Sequence, residues 1–247
     1  MAVEFGDGVG EYIGCGSGVT LDDLFAAGGS LAFWLNPAAV GTIYIDCIGK
    51  DSVTLNANGW RVVGLVSGDT PATSLQFYYV WTGNDGDWRT GANSLVAGVW
   101  THWCVTYDAS SSSNNPIIYK NGVAESLTET TSPTTAASSD AANPLEIGRV
   151  VQTYSRSARQ VEDVRAYKRI LTLEEVASLV AGYRRPLGSE VGWWSLSDAQ
   201  VVTHWDGDSL ATTDVIPDMS PNGNDGTPQG TPTARASEAP RFGVLLG

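Results

Sequence analysis

Positive charge is scarce in this sequence. Only 14 Lys and Arg stand against 27 Asp and Glu, giving a formal net charge of −13, and charged residues make up 17% of the chain. A nucleic-acid-binding surface needs the opposite sign, so DNA and RNA are not expected partners. An anionic membrane surface is equally unattractive. Long apolar runs are missing as well: none reaches the roughly 20 residues a membrane-spanning helix requires, and no membrane insertion is expected. The N-terminal MAVEFGDGVGEYIG has no basic patch followed by an apolar core. No signal peptide is expected, and the mature fold is expected to begin at once.

Cysteine is nearly absent too. Cys15, Cys47 and Cys104 form an odd, widely spaced set that makes no disulfide framework. Cys104 reads as a small core residue, and a Cys15–Cys47 bridge stays open. The sequence has no Cys-x-x-Cys and no His-rich spacing, which argues against zinc. No Gly-x-Ser-x-Gly elbow accompanies the two histidines, His102 and His204.

What the chain has in quantity is apolar surface and turn residues. At 42% apolar over 247 residues it can bury a sizeable core. Plentiful Gly, Ser and Thr suit short strands and many turns better than helices. All-β sandwiches often use this length as one domain, so a single sandwich is expected over residues 1–247. The most legible stretch is VWTHWCVTYDASSSSNNPIIYKNG, from Val99 to Gly122. Within it Trp103, Val105 and Tyr107 fall on one face and His102, Cys104 and Thr106 on the other, the period of a strand. SSSSNN can neither bury much surface nor resist bending, so it reads as a loop. PIIYK is the next strand. Asn121-Gly122 suits a type I′ turn, because both central residues take positive φ.

Further strands are expected within 3–8 and 11–14, and at 30–35, 42–48, 53–55, 60–66, 75–81, 145–148, 161–167, 192–196, 201–205 and 242–246. LQFYYVW at 75–81 alternates aromatic and apolar side chains on both faces and reads as a central strand. TGNDGDWRTG after it is a loop with Trp88 at its end. Thr20-Leu-Asp-Asp23 offers a capping pattern for a turn or two of helix through Phe25, stopped by Gly28-Gly29. Thr172-Leu-Glu-Glu175 is a capping box for the one convincing helix, to about Ala181, with Leu173, Val176, Leu179 and Val180 on its packed face. Residues 125–143, almost entirely Thr, Ser and Ala, read either as a surface loop or as a polar strand pair.

Charge also separates along the chain. Arg149, Arg156, Arg159, Arg165, Lys168, Arg169, Arg184 and Arg185 lie close together, whereas 186–234 has acids and no Lys or Arg. The asymmetry reads as solvated faces with local ion pairs or as complementary patches between subunits.

Four pieces in register carry a resemblance: VWTHWCVTYD, PIIYKNG, PLEIG and VEDVRAYKRILTLEEVASL. Together they resemble the laminin-G-like, concanavalin-A-like jelly-roll family. FGDGVGEYI and SLAFWLNP look like the opening strands of such domains, so the likeness covers most of 3–182. It implies an all-β, antiparallel β-sandwich with one short helix in the C-terminal half. WWSLSD and IPDMSPNGNDGTPQG are similar to a segment that usually starts such a domain, but here they follow the helix. Residues 186–247 are therefore expected to fold back onto the same sandwich as a C-terminal extension, since two adjacent Trp on an exposed edge would be a liability.

Glycosidases on this fold family place carboxylates at alternate positions of one strand, in a Glu-x-Asp-x-x-Glu pattern. No such run occurs here. Glu162 and Asp163 are adjacent and point to opposite faces, and Glu174-Glu175 suit the helix start. No catalytic residues and no enzyme activity are expected. Calcium is the cofactor the resemblance implies, with hard oxygen ligands on loops. Asp218, Asn222, Asn224 and Asp225 share one turn-rich loop and are the candidate ligands. Asn84, Asp85 and Asp87 form a second candidate loop. Neither matches EF-hand spacing, and the same residues are what tight turns are made of.

Nine tryptophans are many for this length. Each buries about 150–250 Å², so core use is the default for Trp34, Trp100, Trp103, Trp193 and Trp194. Trp88, in a loop beside Asn84, Asp85 and Asp87, and Trp60, after Asn-Gly, are the candidate sugar-stacking residues. The expected function is a non-catalytic surface module. The first expectation is an exposed virion component, a capsid decoration or tail protein of a bacterial virus. Its expected partners are other virion or surface proteins, a second copy of the chain, or glycans. The alternative is a secreted or cell-surface carbohydrate-binding module, and the third reading is an unrecognised hydrolase.

Overall fold

The computed structural model describes residues 2–6, 10–41, 44–51, 56–70, 72–150, 157–182, 186–196 and 207–236. The strands expected at 53–55, 201–205 and 242–246 lie outside them. In chain order the first strands are β1 (Ala2–Phe5), β2 (Tyr12–Gly14), β3 (Gly29–Pro37), β4 (Ile45–Asp51), β5 (Gly59–Gly64), β6 (Leu75–Tyr79), β7 (Gly86–Arg89) and β8 (Thr101–Tyr107). β9 (Ile117–Lys120), β10 (Val123–Ala124), β11 (Thr128–Thr131), β12 (Glu146–Ile147) and β13 (Arg159–Tyr167) follow. Helix α1 (Leu173–Val180) precedes β14 (Glu190–Trp194), β15 (Thr227–Gln229) and β16 (Thr233–Arg235). One sheet runs β10-β9-β8-β3-β13-β1-β16, with β14 also on β13; the other runs β11-β7-β6-β5-β4-β12-β2-β15. The fold is thus the antiparallel β-sandwich that the resemblance implies, with a single short helix among the described residues.

The alternation read in β8 decides which way each side chain goes. Trp103, Val105 and Tyr107 enter the core between the sheets, while Cys104 faces outward. Cys104 is nonetheless buried, because Val176 and Leu179 of α1 pack over it together with Tyr119 and Tyr167. Burying each such aliphatic side chain stabilises by roughly 1.5–3 kcal/mol gross. The capping box forms as read: the Thr172 hydroxyl accepts from Glu175 N–H, and the Glu175 carboxylate accepts from Thr172 N–H. Leu173 departs from the expected packed face; it lies in the first turn and is 55% exposed. Asn121 and Gly122 take φ of 50° and 83°, as their turn requires.

Three local readings are corrected or resolved. Residues 20–25 form turns rather than helix. Asp23 adopts φ of 51°, outside the right-handed helical region, and its N–H donates to the Asp140 carboxylate at 2.8 Å. Within 125–143, β11 is an exposed edge strand paired with β7 rather than a strand pair of its own. Among the described residues of the basic stretch, three arginines pair at home: Arg149 with Glu146, Arg165 with Asp163 and Arg169 with Glu175.

The late segment joins both sheets. β14 pairs with β13, setting Trp194 opposite Val164 and Trp193 opposite Arg165. β15 pairs with β2, and β16 with β1. Trp194 lies fully buried in the inter-sheet core. Cys15, Cys47 and Cys104 are all buried free thiols.

Candidate functional site

The meander β5–β6–β7 sets its side chains in alternating rows. Trp60 with Tyr79, and Val62 with Phe77 and Trp88, form the rows that face the core. The intervening rows face outward: Arg61–Tyr78–Asp87 and Val63–Gln76–Arg89. With Tyr44, Leu65 and Asp69 they line a groove of about 200 Å³ on the outer face of the second sheet.

The polar side chains in this groove are held in place. Asp87 accepts from Gln76 Nε2 at 2.9 Å and forms a two-point pair with Arg89, at 3.1 and 2.7 Å. The third arm of Arg89 donates to the Thr70 carbonyl. Its hydrogen bonds to Asp87 push the Arg89 guanidinium further up from its ordinary pKa. The Arg61 guanidinium lies 3.9 Å over the Tyr78 ring and donates to Asp51 and Asn56, each at 3.0 Å. Tyr78 donates its hydroxyl proton to Asp85, whose other oxygen accepts from Trp81 N–H. Burial, then the Asp85 carboxylate, raises the Tyr78 phenol well above its usual range. The half-buried phenol therefore remains a neutral donor.

Such a site combines planar aromatic and guanidinium surfaces with an amide and a carboxylate whose positions are fixed before any ligand arrives. That is the preorganisation that makes recognition of a polyhydroxylated ring affordable in entropy. Asp87 accepts three hydrogen bonds within the protein, which ties it to Gln76 and Arg89.

The candidate residues read from the sequence divide sharply. Asp87 lines the groove, and Asp85 does not line it but holds the hydroxyl of Tyr78, which does. Asn84 is exposed beside it and exchanges two hydrogen bonds with Thr134. Trp88 and Trp60 do not line it, and the reason is the strand period: Trp88 follows Asp87 and must point the other way. Trp88 is 1% exposed, stacks on Phe77, meets Tyr107 at a tilt and donates its indole N–H to Asn115 Oδ1 at 3.0 Å. Gly86 makes room for that ring, since a Cβ there would meet it at 2.1 Å. Trp60 is fully buried, edge-on to Phe25, and donates to Asp140 Oδ2 at 3.0 Å. Neither indole has a face to offer a sugar. The groove residues that sequence reasoning missed are Tyr44, Arg61, Val63, Leu65, Asp69, Gln76, Tyr78 and Arg89. The signal for most of them was the outward half of each alternating strand.

The loop 218–225 lies elsewhere and is a clasp. Asp218 Oδ1 accepts from the N–H groups of Trp193 and Ser220, at 2.8 and 2.9 Å. Its Oδ2 accepts from Ser220 Oγ and Asn224 N–H, at 2.7 and 2.9 Å. Asp225 accepts from Asp218 N–H. Asn222 and Asn224 donate their amides to the carbonyls of Glu190 and Val191, and the Asn224 carbonyl accepts from Trp194 Nε1. These oxygens gather N–H and O–H donors, and two of the four side chains present amide nitrogen to their neighbours. The set does not fit a calcium ion, which needs six to eight oxygens turned toward one point. Among the described residues no cluster of three His, Cys, Asp or Glu could hold a metal.

A family model described as the concanavalin A-like lectin/glucanases superfamily matches residues 8–177. No curated protein matches the chain. Among solved structures, a candidate carbohydrate-binding protein from Bacteroides ovatus superposes with a TM-score of 0.67 at 16% identity, over 98% of this chain and 61% of that one. The binding domain of botulinum neurotoxin serotype G is more distant, at TM-score 0.47 and 17% identity, over 66% of this chain and 37% of that one. The binding domain of Paraclostridial mosquitocidal protein 1 gives 0.46 and 18%, over 64% and 38%. This chain spans less than two thirds of the length of each. At such identities the likeness is one of fold.

Proposed function

The chain belongs to the concanavalin A-like lectin/glucanase superfamily, and on that premise we propose that it is a non-catalytic carbohydrate-binding module whose glycan sits in the groove of β5–β7. One observation carries this reading. Arg61, Gln76, Tyr78, Asp87 and Arg89 lie on the outer face of a sheet, where side chains are ordinarily free, yet hydrogen bonds and stacking lock them around an open groove. The Bacteroides ovatus structure, described as carbohydrate-binding, supports the same class of ligand at the level of fold. Catalysis is not part of this reading, because Asp87, the buried carboxylate of the groove, is committed to Gln76 and Arg89. Placement on a virion draws no support from the fold or from the likenesses.

The test is a glycan array probed with the whole chain, followed by calorimetry on the best oligosaccharide. Tyr78→Ala and Gln76→Ala are expected to weaken binding at least tenfold while the melting temperature changes little. Undiminished binding by both variants would remove the groove from the account.

A further inference from the structure

On the other sheet, loop 108–116 and the connection before α1 rise over the outer face and leave an open depression of about 550 Å³. Thr106 and Ile117, a cross-strand pair whose neighbours Val105 and Ile118 face the core, line it together with Ile170. Ile117 is 44% and Ile170 45% exposed. Asp108, Asn114 and Asn115 supply its polar lining.

The Ser- and Asn-rich sequence of this loop suggests a segment that bends freely. Instead it is fastened. Asp108 Oδ1 accepts from Ser110 N–H at 2.9 Å, and Asn114 Nδ2 donates to the Asp108 carbonyl at 2.9 Å. Ser113 N–H donates to Ser111 Oγ. Trp88, from the opposite sheet, reaches through the core to Asn115 Oδ1. An indole N–H can only donate, so it fixes the Asn115 amide with its oxygen toward the core and its Nδ2 turned away. Neither Asn115 Nδ2 nor Asp108 Oδ2 has a hydrogen-bond partner among the described residues.

We infer that this depression is a second saccharide site, separate from the groove. A pyranose has an apolar C–H face and a rim of hydroxyls. The two isoleucines suit the face, and the oriented Asn115 amide with the Asp108 carboxylate suits a pair of hydroxyls, one accepting and one donating. The ligand class follows from these side chains and not from the groove, so the two sites stand or fall separately. Trp88 acts here as a positioning residue, and the protein presents one site on each sheet.

The test titrates the ¹⁵N-labelled chain with glucose, galactose, mannose, N-acetylglucosamine, lactose and cellobiose, and follows backbone and side-chain amide signals by NMR. At least one of these sugars is expected to shift the Asn115 side-chain amide together with Asp108, Ser113 and Ile117, saturably. Asn115→Ala and Trp88→Phe should weaken that response at least tenfold, and Tyr78→Ala should leave it unchanged. Ile117→Ser, at an exposed position, should weaken it too and keeps the test decisive if the other variants fail to fold. Loop shifts without groove shifts would keep this site and leave the groove to its own test. The site is overturned if none of the six sugars moves the loop, if shifts stay within the groove, or if Ile117→Ser responds like the parent.

Discussion

On the outer face of the first sheet, Cys104, Tyr119 and Tyr167 lie beneath α1 and are lost to water. On the outer face of the second, Arg61, Gln76, Tyr78, Asp87 and Arg89 surround an open groove. Both sets occupy alternate positions of strands whose inner faces build one core, and in sequence the strands look alike. THWCVTY and LQFYYVW each alternate bulky residues on both faces. What separates them is the element lying above: an amphipathic helix from much later in the chain in one case, none among the described residues in the other. Period two reveals that a strand has two faces. It does not reveal what covers the second.

That contrast can be broken most forcefully with a matched pair of tyrosines. Tyr167→Ala, in the covered face, should cost about 3–5 kcal/mol through the cavity it opens under α1, read as a large drop in urea midpoint. A loss below about 1 kcal/mol would mean that α1 is only loosely seated. The next effect is in pH. His102, on the covered face beside Trp34, has its pKa lowered to about 4 by burial; Asp163 opposes the shift and Arg165 adds to it. Its Nδ1 has no partner among the described residues. The unfolded imidazole titrates near 6.5, so above that pH both states are neutral and the residue adds nothing. As the pH falls from about 6.5 to 4 only the unfolded state takes the proton, and stability should drop by roughly 3 kcal/mol. His102→Gln should flatten that part of the profile, and an unchanged profile would show that the imidazole is protonated in the fold.

Tyr78→Ala, on the open face, should cost about 1 kcal/mol or less, because the side chain is half-buried and its neighbours can turn to water. The same change should weaken glycan binding at least tenfold. Smallest of all is chelation: a saturating excess of EDTA should leave the melting temperature where it was, since ligand linkage needs a ligand. A clear fall would mean that the 218–225 loop, or another site, holds calcium after all.

Much of the fold was legible because its signals are local. The capping box at Thr172, the Asn121-Gly122 turn and the alternation from Thr101 to Tyr107 each sit within a few residues. The site was legible only in part. Asp85 and Asp87 stood out as loop acids, but Gly86–Arg89 is a strand, and that one change sends Trp88 into the core. The outward row Arg61–Tyr78–Asp87 depends on the register of three strands, which no single window contains. The acids of 218–225 misled for the same reason: Asp218 accepts from Trp193 N–H, a partner set by β14 and invisible in the loop itself. Asn- and Asp-rich loops look alike until it is known whether their oxygens are already taken.

The most direct measurement is a crystal structure of the whole chain with the best oligosaccharide from the glycan array. The account predicts a sugar ring against Tyr78 and Arg61, with hydroxyls within hydrogen-bond distance of Gln76, Asp87 or Arg89. An oligosaccharide seated on the 218–225 loop, or a groove left empty while the sugar binds elsewhere, would contradict it.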